Sequence, residues 1–181
     1  MVRKTVKSER KLFMRQGWLN FLVFTVIISS LTYLTYERNK VWMNDVTLWK
    51  DSVEKAPDNA RAYNNLGRAY GALGRDREAI EAFKKALEIL PNYALAHMNM
   101  AVSYGKLGMN AESEFEYREA MRFYPGMPDT YYNYGFFLYS YGRYEEARQI
   151  LNRYIALEPT GPFVPFAYKL LSDMEKKNHG K

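Results

Sequence analysis

The chain starts with two contrasting patterns of charge and hydrophobicity. Residues 1–17 carry six lysines and arginines against one glutamate, and the following run, Trp18–Tyr36, is nineteen residues long without a formal charge. As a helix this run would measure about 28 Å, close to the roughly 30 Å hydrocarbon core of a bilayer. Trp18, Tyr33 and Tyr36 lie near its ends, where amphipathic rings favour the membrane interface. The pattern predicts a single transmembrane helix over residues 18–36.

Two alternatives remain for this run, a cleaved signal peptide and a buried core helix. A cleavage site needs small residues, and the nearest candidate places Ile28 where a small residue is preferred. For an anchor, the excess of positive charge before the run places residues 1–17 in the cytoplasm and everything after Tyr36 on the extracytoplasmic side. In a bacterium this would be a single-pass protein of the inner membrane with its folded part in the periplasm.

Beyond the run, the chain repeats with a period of 34 residues. The period is shared by four prolines and three glycines: Pro57, Pro91, Pro125 and Pro159, and Gly74, Gly108 and Gly142. Proline cannot continue a helix, and glycine ends one readily in a left-handed conformation. The spacing therefore predicts pairs of helices, one ending at each glycine and the other at each proline.

The repeats resemble the tetratricopeptide repeat (TPR) family, whose pattern of aromatic, small and proline residues has this period. Residues 60–93 carry the fullest match: Tyr63, Leu66, Gly67, Tyr70, Gly74, Ala79, Phe83, Ala86 and Pro91. Residues 94–127 and 128–161 match less completely, and the third repeat has Tyr154 where alanine is usual. The resemblance implies an all-α fold in which a TPR α-solenoid with a C-terminal capping helix follows the transmembrane helix.

The expected layout follows from these boundaries. After a junction and half-repeat helix (37–59, with the helix in Asp45–Pro57), helix pairs are predicted at 60–73 with 76–90, 94–107 with 110–124, and 128–141 with 144–157. The capping helix is predicted over about 163–178, with Phe166, Leu170 and Met174 on its inner face, within a terminal segment 162–181 whose tail frays.

Glycines inside the first helix of each repeat need a reason, since each costs roughly 0.5–1 kcal/mol relative to alanine. Gly67, with Ala101 and Gly135 as its equivalents, is expected where that helix presses against its neighbour. Gly71 and Gly105 share an inward repeat position, and we expect them to leave room for a partner. The alternative is that the helix tolerates glycine there.

The resemblance also implies a partner-binding concave face. Its inward repeat positions are occupied here by Arg61, Asn64, Arg68, Gly71, Leu95, Met98, Val102, Gly105, Tyr132, Phe136 and Tyr139, with Lys106 and Asp129 beside them. Tyr132, Phe136 and Tyr139 share one helix face, and such aromatics suit partner recognition. The alternative is that this stripe packs against the capping helix. The carboxylate clamp that some TPR proteins use for chaperone tails is matched only at Asn99, and Asp129 would repel a carboxylate.

Composition narrows the function further. The chain has no cysteine and only two histidines, His97 and His179, and no nucleotide loop, metal-ligand cluster or nucleophile arrangement occurs, so we expect no enzyme, cofactor or metal. Of the net charge of +6, residues 1–17 contribute +5, which leaves the remaining body nearly neutral and argues against a nucleic-acid surface.

A second resemblance concerns the junction Tyr36–Gly67. It resembles transmembrane-and-TPR proteins related to protein O-mannosyltransferases, through Arg38, Asn39, Trp42, Thr47, Leu48 and Trp49. The single membrane segment leaves no place for their catalytic part.

The sequence thus predicts a membrane-anchored TPR scaffold that binds proteins on the extracytoplasmic side, as an accessory subunit of a larger membrane complex. A transient assembly factor or chaperone adaptor for envelope or cytochrome biogenesis, and a separate-chain regulator of a glycosyltransferase, remain as alternatives. The expected partners are other subunits or a peptide segment in the groove, and no nucleic acid.

Overall fold

The computed structural model describes residue 18, residues 20–37 and residues 44–179. Over these residues the chain is helical, with short turns between helices and no strand. It divides into two compact units, residues 1–48 and 49–181. The expectation of an all-helical repeat fold is confirmed by the second unit.

In the first unit, helix α1 covers residues 20–37. The hydroxyls of Thr25, Thr32 and Thr35 each donate to the carbonyl oxygen four residues earlier at 2.8 Å, which satisfies these polar groups within the helix. Trp18, Tyr33 and Tyr36 are exposed, as are all the large apolar residues of α1. No helix in the described ranges combines the length and the apolarity needed to cross a membrane, so the expected transmembrane helix is not found there.

Helix α2, Asp45–Lys55, confirms the helix expected within residues 45–57. The side-chain oxygen of Asn44 accepts a hydrogen bond from the backbone N–H of Thr47 at 2.8 Å and so caps the start of the helix. Arg38, Asn39 and Trp42, on which part of the junction resemblance rests, lie outside the described residues, as does the basic segment 1–17.

The second unit continues with three helix pairs and a final helix. Their bounds are α3 Ala60–Ala72, α4 Asp76–Ile89, α5 Ala94–Lys106, α6 Asn110–Phe123, α7 Pro128–Ser140, α8 Tyr144–Leu157 and α9 Val164–His179. Each helix of the three pairs begins at the predicted residue; α8 also ends at the predicted residue, and the other five end one residue early. We call α3, α5 and α7 the A helices, and α4, α6 and α8 the B helices.

The periodic glycines shape the turn inside each pair. Gly74, Gly108 and Gly142 have φ of 70°, 73° and 74°, and within the described residues no other glycine and no non-glycine residue has a positive φ. A side chain with a Cβ would be strained in this left-handed conformation. After Gly74, the N–H of Arg75 bonds back to the carbonyl of Tyr70 at 3.0 Å, which closes the end of α3.

Small residues let the helices of each pair approach closely. A Cβ at Gly67 would lie 2.5 Å from the ring of Phe83 on α4, and one at Gly135 would lie 2.7 Å from the side chain of Leu151 on α8. Both partners are buried, so neither can move away easily. The expectation that the side chain is missing here to permit helix contact is confirmed.

The departure of the third repeat from the family pattern also has a packing reason. Tyr154, where alanine is usual, is fully buried, and its ring lies 5.4 Å from that of Tyr132. Its hydroxyl accepts a hydrogen bond from the backbone N–H of Phe163 at 3.2 Å. The larger residue therefore ties α7 and α8 to the turn that leads into α9.

The inner face of α9 differs from the prediction by one residue. Ala167 and Met174 are fully buried and Leu170 is half-buried, but Phe166 is 58% exposed. A shift of one residue turns the face of a helix by about 100°. The expectation that Phe166 packs inward is therefore wrong, and Ala167 occupies the inner position.

Candidate partner-binding face

The eleven residues predicted to face a partner lie on the three A helices, and we call them the A-helix face. On α3, Arg61 and Arg68 are exposed, and neither forms an ion pair with any residue in the described part of the chain. Asn64, one turn from each of them, is completely buried. These three residues occupy successive turns of one side of α3.

Asn64 connects α3 to α5. Its side-chain oxygen accepts a hydrogen bond from Nδ2 of Asn99 at 2.9 Å, while its own Nδ2 has no partner among the described residues. Asn99 is half-buried, so one side of this amide pair is open to solvent. The repeat pattern indicates both positions separately, but 35 positions separate them in the sequence and only the tertiary structure brings their amides together.

Lys106, at the end of α5, makes a second connection to the first repeat. Its Nζ donates to the carbonyl oxygen of Gly71 at 3.2 Å and lies 3.5 Å from Oδ1 of Asp76. Asp76 is buried, at the start of α4. The charge of Lys106 is therefore partly compensated, unlike those of Arg61 and Arg68.

The other α5 residues of the A-helix face are largely covered by the protein itself. Met98 is buried, and its sulfur accepts a hydrogen bond from Nδ2 of Asn133 at 3.7 Å. Leu95 and Val102 are half-buried against the main apolar core. This section of the face therefore offers only the partly exposed apolar surface of Leu95 and Val102.

Gly71 and Gly105 lie against neighbouring helices. A Cβ at Gly71 would meet Ser103, Asp76 and Ala79 at 3.8–4.0 Å, which is ordinary contact. One at Gly105 would come within 3.3 Å of both Phe137 and Ser113. Contact with the next A helix thus gives Gly105 a folding role, whereas alanine would fit at Gly71. Whether a partner uses the space at Gly71 stays a prediction.

The aromatic stripe on α7 divides into packed and open members. The ring of Tyr132 stacks on Phe163 at 4.6 Å, and that of Tyr139 lies 5.7 Å from Tyr144. Phe136, between them, is 51% exposed. The hydroxyl of Tyr139 also lies 3.4 Å from Nζ of Lys177 on α9. The alternative of packing against the C-terminal segment thus describes Tyr132 and Tyr139, while Phe136 is the member of the stripe with the most exposed surface.

Charge is distributed unequally between the two sets of helices. Helices α3 and α5 contain no acidic residue, and α7 contains only Asp129. By contrast, α4 carries four acidic against three basic residues, and α6 four against two. Cations of the B helices often pair locally, as Lys84 does with Glu81 and Arg122 with Glu119. The A helices of the first two repeats are therefore the positively charged side of the unit.

A buried ion pair joins α5 and α6. Nδ1 of His97 lies 2.6 Å from Oε2 of Glu116, and Nε2 lies 3.0 Å from the carbonyl oxygen of Pro91. Burial lowers the pKa of His97, but hydrogen bonds to Glu116 and to Pro91 outweigh this effect and raise it above the ordinary value. Doubly protonated, the ring donates to both acceptors, so this histidine stabilises the turn at Pro91.

A surface cavity of about 610 Å³ is lined by residues of α3, α4 and the end of α5 and by the turn before α6, and none of the eleven residues of the A-helix face lines it. Its lining includes Tyr63, Tyr104, Leu107 and Met109. Four of its five charged lining residues form ion pairs, as Lys84 does with Glu81 and Lys85 with Glu88. Among the described residues no group of three or more histidine or acidic side chains is placed to hold a metal ion.

Two family models match the repeat region. The tetratricopeptide repeat model matches residues 60–93, and the model described as YpiA-like, C-terminal tetratricopeptide repeats matches residues 94–161. Neither extends to the junction before residue 60, so the resemblance proposed for that segment stays a prediction. Comparison with curated proteins gave no significant match.

Solved structures with the same fold include a crystal structure of MamA, 20% identical, covering 74% of this chain and 77% of that one, with a TM-score of 0.65. A second MamA crystal structure is 23% identical, with coverages of 63% and 62% and a TM-score of 0.55. The first TPR of Spaghetti (RPAP3), bound to the HSP90 peptide SRMEEVD, is 22% identical, with coverages of 66% and 93% and a TM-score of 0.61. At these identities the likeness shows the fold alone.

Proposed function

Since residues 60–161 belong to the tetratricopeptide repeat family, we propose that this protein is a scaffold that binds other proteins and holds a partner segment on its A-helix face. The RPAP3 structure shows that such a fold can hold a peptide. The role of this chain is inferred from its own surface, because fold alone does not specify a function.

The observation that carries the proposal is a contrast between equivalent repeat positions. Core positions hold similar small residues from repeat to repeat, such as Ala79, Ser113 and Ala147, all fully buried. One position of the A-helix face holds Arg68, Val102 and Phe136 in turn, which are exposed or half-buried. No common packing role explains an arginine, a valine and a phenylalanine at one position, whereas recognition of a partner with varied chemistry does.

We propose that the N-terminal segment attaches the protein to a membrane with the repeats on the extracytoplasmic side, where it serves as an accessory subunit of a membrane complex. The support is the charge asymmetry around residues 18–36 and the exposure of the apolar side chains of α1. Carbonate extraction and protease protection of native membranes test this part: release by carbonate, or repeats cut from the cytoplasmic side, would refute it.

Site-specific photocrosslinking in cells tests partner binding. A photoreactive phenylalanine analogue replaces Phe136, and in a matched control it replaces Arg153, which is exposed on the B helix α8. We expect a discrete covalent adduct from position 136 and none from position 153. Adducts from position 153 alone would contradict binding on the A-helix face.

Mass measurement of the detergent-extracted complex separates the assembly alternatives. A stoichiometric, salt-resistant complex identifies a structural subunit, and clients lost on washing identify a transient assembly factor or adaptor. Loss of a protein-linked glycan when the chain is deleted would instead indicate the glycosyltransferase regulator.

A further inference from the structure

The strongest unsatisfied charge on the A-helix face lies on α3. Arg61 and Arg68 are exposed, lack ion-pair partners among the described residues, and are separated by seven residues, which places them on the same side of the helix. At 1.5 Å per residue, their backbone positions are about 10.5 Å apart along the axis. No acidic residue occurs on α3 or on the adjacent α5 to neutralise them.

We infer that this part of the A-helix face recognises an internal acidic segment of the partner, in polyproline II conformation, with two carboxylates three residues apart. This inference rests on the proposed protein-binding function and names the chemistry of the partner. A polyproline II chain has three residues per turn and rises about 3.1 Å per residue, so side chains three residues apart lie on the same side of the segment and about 9.3 Å apart, close to the spacing of the two arginines. Each guanidinium then pairs with one carboxylate.

Charge complementarity is what selects an acidic partner over an apolar one at this position. Lys106 adds a third cation next to α3, although its Nζ already donates to the carbonyl oxygen of Gly71 and its charge is partly compensated by Asp76. The nearest acidic residue of the A helices, Asp129, lies on α7, one repeat beyond α5. An acidic segment along α3 therefore meets favourable charge, and the same segment along α7 meets repulsion.

The amide pair Asn64–Asn99 supplies hydrogen-bonding groups between the two arginines. Asn64 Nδ2 is a buried donor without an acceptor in the described part of the chain, and such donors usually find one. Asn99, half-buried beside it, is the accessible member of the pair. Since Asn64 is completely buried, a backbone carbonyl of the bound segment would accept a hydrogen bond from the second N–H of the Asn99 amide. Recognition of main-chain groups and side-chain carboxylates fits an internal segment, with no requirement for a terminal carboxylate.

Fluorescence anisotropy with synthetic peptides tests the inference. The probe is a labelled peptide containing Glu-Ala-Ala-Glu, acetylated at its N-terminus and amidated at its C-terminus so that only side-chain carboxylates are present. The control peptide carries glutamine at both glutamate positions. We expect saturable binding of the acidic probe, weakened by salt, and at least tenfold weaker binding of the control.

Protein variants assign the binding to α3. Arg61→Ala and Arg68→Ala should each weaken binding of the acidic probe by about fivefold, which is the upper range for an exposed ion pair. Arg153→Ala, an exposed arginine of a B helix without an ion pair among the described residues, should leave it unchanged. The double charge reversal, Arg61→Glu with Arg68→Glu, should no longer bind the acidic probe and should bind a Lys-Ala-Ala-Lys probe instead. An unchanged helical circular-dichroism spectrum is the folding control.

Equal binding of the acidic and glutamine peptides, or unchanged affinity in both single arginine variants, would overturn the inference. Its failure is distinguishable from failure of the proposed function. If position 136 still gives a partner adduct while the acidic probe does not bind, the scaffold function stands and the acidic specificity is wrong. If position 136 also gives no adduct, both fall.

Discussion

Two glycines on the same helix should respond oppositely to replacement by alanine. In Gly67→Ala the new Cβ would lie 2.5 Å from the ring of Phe83, which is almost completely buried. In Gly71→Ala the nearest atom is Ser103 Oγ at 3.8 Å, so the methyl group fits without displacement. The substitution and the helix are the same, and only the surrounding space differs.

The magnitudes follow from two opposing terms. Alanine is favoured over glycine in a helix interior by roughly 0.5–1 kcal/mol, so Gly71→Ala should increase the free energy of unfolding by about that amount. At Gly67 the same gain is opposed by overpacking, which typically costs about 1–3 kcal/mol and is greater where neighbours cannot move. Separating Cβ from the ring to normal contact requires a shift of about 1 Å, so we expect Gly67→Ala to be destabilising by about 1–2 kcal/mol overall.

Urea unfolding followed by circular dichroism measures both variants against the parent protein. A shift in the midpoint without a change in slope reports stability itself. Equal stabilisation by both substitutions would refute the close-contact explanation of Gly67. Destabilisation by Gly71→Ala would contradict the conclusion that a methyl group fits at position 71 without displacing its neighbours. If Gly71→Ala is stable but loses partner crosslinks at position 136, the predicted use of its space by a partner is supported.

Further predictions concern His97, a turn glycine and α9. Because the pKa of His97 is raised in the folded state, the stability that its ion pair contributes is complete below the ordinary pKa of 6.5 and is lost as pH rises through the folded pKa. His97→Gln should flatten this pH dependence of the urea midpoint. A pH profile identical to that of the parent protein would exclude the ion pair as the cause of the dependence. Gly142→Ala, at φ 74°, should cost about 1–2 kcal/mol in the same assay, and a neutral result would contradict the need for a left-handed residue. Met174→Ala should cost about 2–5 kcal/mol and Phe166→Ser less than about 0.5 kcal/mol, whereas the reverse order would restore the predicted face of α9.

Much of the fold could be predicted because the residues that end helices recur at a fixed spacing in the sequence. Gly74 and Pro91, with their equivalents 34 residues on, mark where helices end, and such signals act locally through backbone conformation. Helix limits in the repeats were therefore right to within one residue. The first residues of α9 have no such repeated glycine or proline signal, and the sequence therefore indicated Phe166 on the inner face instead of Ala167.

The candidate site was less predictable, because it depends on what each side chain meets across the helix interface. The sequence selected Asn64 and Asn99 separately, but only the tertiary structure pairs their amides. It also decides that Phe136 is open while Tyr132 is stacked on Phe163, although both belong to the same stripe.

The sequence by itself determined the repeat family, the helix ends and the concentration of positive charge on residues 1–17. These are properties of local pattern and of composition, which need no knowledge of distant contacts. Only the tertiary structure decided why Gly105 is small, since a Cβ there would lie 3.3 Å from Phe137 of the next repeat, and why Arg61 and Arg68 are unpaired. Those outcomes depend on distances between helices, which are set by the packing of whole side chains and not by the period of the sequence.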